Sequence, residues 1–127
     1  MKTIFNFSIR SLIIVLTLTF ASACKKEGTG GKSSVSGHVK HHTKLIPYSI
    51  VYIKYGATEF PGTDVSQYDA SITSDANAFY EFKELQKGDY YLYGKGNDPV
   101  HAEPVTGGIG IKLERNKHSD IDVPVTE

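Results

Sequence analysis

The sequence predicts an all-β domain, a seven-stranded antiparallel β-sandwich, behind an N-terminal segment that stays outside the fold. Three observations lead there. From Val35 onward, apolar residues alternate with period two rather than 3.6, as half-buried strands require. The chain is rich in Tyr, with eight Tyr and six Phe but no Trp, and β-branched residues cluster beside them. Groups of Gly, Pro, Asn and Asp interrupt the alternation at short intervals, as the turns of a sandwich do.

Each strand has its own justification. "VSGHV" sets Val35, Gly37 and Val39 on one face against Ser36 and His38. "YSIVYIKY" is almost wholly β-branched or aromatic, and "ASIT", "FYEF", "DYYLY", "GIGIKL" and "DIDVPV" supply the other five strands. "HTKLIP", "FPGTD", "SDANA", "QKGD", "GNDP" and "ERNKH" are the turns between them. "GATEFPGTDVSQYDA" exceeds hairpin length and is expected to form an elaborated loop. No stretch of ten or more residues reads as an amphipathic helix, and no internal repeat is visible.

The first quarter of the chain has a different character. Lys2 and Arg10 precede "SLIIVLTLTF", and small residues follow. That order is an export signal, and the apolar run is shorter than the roughly 20 residues of a membrane span. Residues 1–23 are therefore excluded from the fold. "ASA" at Ala21–Ala23 suits ordinary secretory cleavage. "ASAC" also resembles the lipobox of bacterial lipoproteins, with Ala21 standing where that family prefers Leu. The only cysteine, Cys24, falls on the position that is acylated in such proteins. Two or more acyl chains hold a protein stably at a membrane. The resemblance implies an outer membrane of a two-membrane bacterium, in either leaflet. Residues 24–33 have the Gly, Ser and Lys content of a flexible tether, which places the folded domain at residues 34–127.

Charge and cysteine content exclude several functions. The chain carries 14 basic and 14 acidic residues; without Lys2 and Arg10, 12 basic face 14 acidic, a net charge of −2. Nucleic acid is therefore no expected partner, because no basic stripe exists to hold phosphates. One cysteine excludes an intrachain disulfide.

"VSGHV", "LIPYSIVYI", "TSDANAFYEFKEL" and "KGDYYLYGKG" together resemble the carboxypeptidase regulatory-like domain. Gly37, Pro47, Thr73, Asp75, Tyr80, Phe82, Leu85, Gly88, Tyr90 and Leu92 sit on its pattern. The resemblance covers about residues 34–127. It implies a prealbumin-like (transthyretin-like) Greek-key sandwich and carries no catalytic zinc with it. Ala78 stands where the family has Gly, so Asn77 is expected to supply any left-handed kink. The match also assigns Val35, Val39, Val51, Ile53, Tyr80, Phe82, Leu85, Tyr90, Leu92, Ile109 and Ile111 to the interior, with Gly37 allowing close approach of the facing sheet. Truncating Phe82 to Ala is expected to cost about 3–5 kcal/mol.

Candidate chemistry is sparse. "HVKHH" brings His38, His41 and His42 together in sequence. On a strand, however, His41 and His42 diverge, while His38 and His42 stand about 13 Å apart, too far for one zinc ion. Only a turn beginning at His41 would bring such residues together. His101 and His118 lie in loops without ligand spacing. No metal, cofactor or catalytic residue is assigned, and no nucleophile elbow or phosphate loop is present. The acids Asp64, Asp69, Asp75 and Asp98 read as solvated turn residues.

The tyrosines offer more. Tyr48 and Tyr52 on the second strand, with Tyr91 and Tyr93 on the fifth, would form an outward aromatic strip. Phe60 and Tyr68 from the long loop would join it as a contact surface. The same pattern also suits cross-strand pairs that merely stabilise the sheet. The function expected is a non-catalytic, lipid-anchored envelope module that contacts another protein or supports an assembly. A carbohydrate-binding surface lipoprotein and a small periplasmic metal or ligand binder are the alternatives.

Overall fold

The computed structural model describes residues 26–127, which form two β-sheets packed around one core. The export segment at 1–23 and Cys24 lie outside the described residues. Among those residues no helix is long and apolar enough to cross a membrane.

Among the described residues nine strands are found rather than seven: β1 (Thr29–His41), β2 (Lys44–Leu45), β3 (Ile50–Tyr55), β4 (Ala70–Thr73), β5 (Phe79–Leu85), β6 (Gly88–Asn97), β7 (Pro104–Leu113), β8 (His118–Asp120) and β9 (Val123–Pro124). One sheet has the order β4-β3-β6-β7 and is antiparallel throughout. In the other, β1 is the hub. It pairs antiparallel with β2 and β5, and parallel with β8 and β9.

The parallel pairs correct the all-antiparallel expectation, and their cause is local. The end of β7 lies beside the start of β1, where Ser33 Oγ donates to Glu114 O and Ser34 N–H donates to Lys117 O. A chain leaving β7 at that point and following β1 must run in the same direction. "DIDVPV" becomes two short strands because its middle steps over β1 at Gly37. A Cβ on Gly37 would lie 1.8 Å from Ile121 O. The neighbour that needs Gly37 is thus this returning segment, not the facing sheet. Tyr80, the cross-strand partner of Gly37, donates its hydroxyl to the same carbonyl at 2.5 Å.

The domain also begins earlier than expected. Thr29 to Ser33 belong to β1, and both ends of this stretch pair with Leu85 across a bulge. Gly31 lies on the Leu85 carbonyl, where a Cβ would stand only 2.1 Å from the oxygen. Glycine-rich composition suits a tether and a bulge equally, which is why residues 29–33 read as linker. Tyr90 fastens the entry: its hydroxyl accepts from Gly28 N–H at 2.9 Å and donates to Gln86 O at 2.6 Å.

Nine of the eleven residues expected inside lie in the buried core, and the other two, Phe82 and Ile109, pack against it partly buried. Phe82 lies on β5, which has β1 as its one strand partner, so Phe82→Ala is expected to cost about 1–3 kcal/mol rather than 3–5. A bulge explains the broken alternation of β5. Glu84 sits at φ +56°, and Lys83 and Glu84 together oppose Ser34, so Tyr80, Phe82 and Leu85 share one face. Ile46, Val105, Leu113, Val123 and Val125 complete the core. Ala78 itself, not Asn77, takes the left-handed conformation, at φ +61°. Asp75 holds that turn by accepting N–H bonds from Asn77 and Phe79 at 2.8 and 3.0 Å.

Candidate functional site

The outward face of the β3-β6-β7 sheet carries the expected aromatics. Tyr52 and Tyr93 are direct cross-strand partners, with ring centroids 6.3 Å apart. Opposite Tyr91 and Tyr93, however, β7 presents only Gly110 and Gly108. That glycine pair leaves a bare strip of backbone beside the rings. The Tyr91 ring lies over Gly108, and the loop at residues 56–69 lies over Gly110. A Cβ on Gly110 would stand 2.2 Å from Thr58 O, so the loop backbone rests directly on β7.

The loop is closed at its ends and packed by its own side chains, in the manner of an Ω-loop. Gly56 N–H donates to Asp89 O at 2.8 Å, and Asp69 N–H donates to Ile53 O at 2.9 Å. Asp69 also accepts from Tyr55 N–H at 2.7 Å, and Tyr68 donates its hydroxyl to Gly62 O at 2.9 Å. Tyr68 stacks on Tyr93 at 5.6 Å, and Phe60 sits 5.9 Å from Tyr91 and 5.3 Å from Tyr93. Burial, followed by the neighbouring phenols of Tyr93 and Tyr91, pushes the Tyr68 hydroxyl up to about 12. Burial likewise raises Tyr91, with Tyr93 adding to the effect.

The expected strip is therefore assembled but not open. Tyr91 and Tyr93 are 9% and 3% exposed, because Phe60 and Tyr68 cover them. Only Phe60, at 51%, presents a large apolar ring to solvent from this cluster. Tyr48 does not join it. It precedes β3, in a left-handed turn at φ +56°, and is 67% exposed. Sequence alternation found the face correctly. It carried no signal for the cover, which depends on where a distant loop lands.

A second cluster forms at one end of the sandwich. A two-residue turn at His42 and Thr43 follows β1, so the chain does reverse just after His41. This brings His41 near Asp98 of the β6–β7 turn, with Nδ1 3.7 Å from Oδ2. Lys44 Nζ and His101 Nδ1 lie 3.1 and 3.3 Å from the same oxygen. One oxygen from Asp98, one from Glu127 and one nitrogen from His41 all fall within 4.8 Å of one another. The Asp98 carboxylate is fully buried, contrary to its reading as a solvated turn residue. Hydrogen bonding from Val100 N–H, then from the His101 and Lys44 side chains, holds its carboxyl well below the usual carboxylate range. The sequence placed these residues in separate turns, and only their convergence gives them a common chemistry.

Of the remaining histidines, His42 stays beside His41, with ring centroids 4.7 Å apart and its backbone at φ +57°, against the divergence expected of strand neighbours; His38 and His118 go elsewhere. His38 packs edge-on against Phe79 at 5.7 Å and faces Asp122. His42 lines a cleft of about 540 Å³ with Lys40, Ile109, Asp122, Pro124, Val125 and Thr126. Both ring nitrogens of His118 meet serine hydroxyls, Ser34 at 2.7 Å and Ser36 at 2.9 Å. This leaves neither nitrogen for the orienting carboxylate of a hydrolytic triad.

Compared with protein-family models and with curated proteins, the chain has no match.

Proposed function

We propose that this protein is a non-catalytic, lipid-anchored module of a bacterial outer membrane that works by contacting another envelope protein. Cys24 is its lipidation site, and the domain is a prealbumin-like sandwich of the carboxypeptidase regulatory-like kind. Phe60 is the observation that carries the contact reading. Its ring packs at a tilt against Tyr91 and Tyr93, and about half of the residue remains exposed on a closed loop. An aromatic ring held in place before binding loses little freedom on association, which suits it to anchor an interface. The carbohydrate reading has less support, because the ring faces of Tyr91 and Tyr93 are already occupied by the loop.

Two measurements test the proposal. The intact mass of the chain from the membrane fraction should exceed that of residues 24–127 by acyl groups on Cys24. A Cys24→Ser chain should leave that fraction. A photo-crosslinking residue placed at Phe60 should trap one discrete envelope protein in cells, while the same residue at Lys83, on the opposite sheet, should not. An unmodified mass or equal labelling from both positions would overturn it.

A further inference from the structure

We propose that His41, Asp98 and Glu127 form a binding site for a divalent metal ion of the zinc class. The residues come from three separated parts of the chain: the end of β1, the β6–β7 turn and the segment after β9. Their convergence is a property of the fold, independent of the contact surface at Phe60.

The Asp98 carboxylate is divided between two tasks. Oδ1 accepts backbone N–H bonds from Val100 at 2.7 Å and His101 at 3.3 Å, which fix its orientation. Oδ2 faces only side-chain nitrogens: His41 Nδ1, His101 Nδ1 and Lys44 Nζ. Tetrahedral zinc with bonds of about 2.0–2.1 Å separates its ligand atoms by about 3.3–3.4 Å. The His41–Asp98 distance, 3.7 Å, is within a few tenths of an ångström of that edge. One imidazole and two carboxylates, with a water in the fourth position, are a donor set that suits zinc.

Lys44 is the competitor. Its ammonium bridges both Asp98 oxygens at 3.1 and 3.3 Å and supplies the positive charge that the buried carboxylate requires. Lys44 is held on a four-carbon stem and is about a third exposed, so it can swing to solvent when a dication takes its place. The site is thus built to alternate between a tethered cation and a metal ion.

The test uses the full chain in detergent with Cys24→Ser, so that no thiol competes, and Zn²⁺ alone as the probe at neutral pH. Calorimetry should show saturable binding of one equivalent. His41→Gln should weaken binding by at least tenfold, since even outer-shell partners of zinc sites are worth about 10–100-fold. Lys44→Gln should strengthen it. Co²⁺ in place of zinc should give the intense visible bands of a tetrahedral centre, lost in His41→Gln. Far-UV circular dichroism establishes that each variant is folded. Absence of saturable binding, unchanged affinity in His41→Gln, or weaker binding in Lys44→Gln would each overturn the assignment.

Discussion

Replacing Gly37 by Ala puts a methyl group 1.8 Å from Ile121 O and 2.5 Å from its carbonyl carbon. Both atoms are backbone, so no side-chain rotation relieves the contact. The segment between β8 and β9 must move outward by more than about 1 Å before an ordinary contact distance is reached. That movement breaks the bond from Tyr80 Oη to Ile121 O and strains those from Ile121 N–H to Ser36 O and from His38 N–H to Asp122 Oδ1. It also loosens Val123, which is fully buried. Leaving the Tyr80 hydroxyl unpaired costs about 1–3 kcal/mol, and partial exposure of a valine adds about 1–2. The expected total is about 3–5 kcal/mol, a large share of the stability of a domain this size. Urea unfolding followed by circular dichroism should show a midpoint lower by roughly 2 M or more. Tyr80→Phe alone should cost about 1–2 kcal/mol, and much less when combined with Gly37→Ala, because the bond is already lost. A Gly37→Ala loss under about 1 kcal/mol, or full additivity with Tyr80→Phe, would refute the close-approach argument.

Phe60→Ala removes two aromatic contacts worth about 0.5–1.5 kcal/mol each and should expose the loop at residues 56–69 to limited proteolysis while the sandwich stays folded; an unchanged cleavage rate would contradict the covering role. Ala78→Gly should raise stability by about 0.5–1 kcal/mol, since relief of a left-handed alanine outweighs the loss of one buried methyl group. Stability should fall as pH rises from about 10 to 12. Tyr68 is raised to about 12 and Tyr55, Tyr80, Tyr90 and Tyr91 are raised as well, so the unfolded chain ionises first and gains free energy. Absorbance of tyrosinate, read alongside urea midpoints across that range, checks the sign; midpoints that stay constant would show that these hydroxyls are not buried as described.

The sequence by itself determined the fold class, the inner face of the strands and the outer aromatic face. All three follow from alternation, because a residue's side on a strand depends on its parity. Parity grouped Val35 with Val39 and Tyr90 with Leu92 on one face and set Tyr52, Tyr91 and Tyr93 on the other, and the resemblance to the carboxypeptidase regulatory-like pattern turned the first group inward. Parity failed at Tyr48, where a left-handed turn before β3 resets the count. Only the tertiary structure decided what covers each face. Glycines on β7 leave room for the 56–69 loop, and that loop buries two tyrosines that alternation exposes. Asp98 has the same origin. As a letter between Asn97 and Pro99 it marks a turn, and its burial arises only where the β1–β2 turn and the segment after β9 pack against it. Such convergence depends on contacts between residues dozens of positions apart, and local sequence carries no record of them.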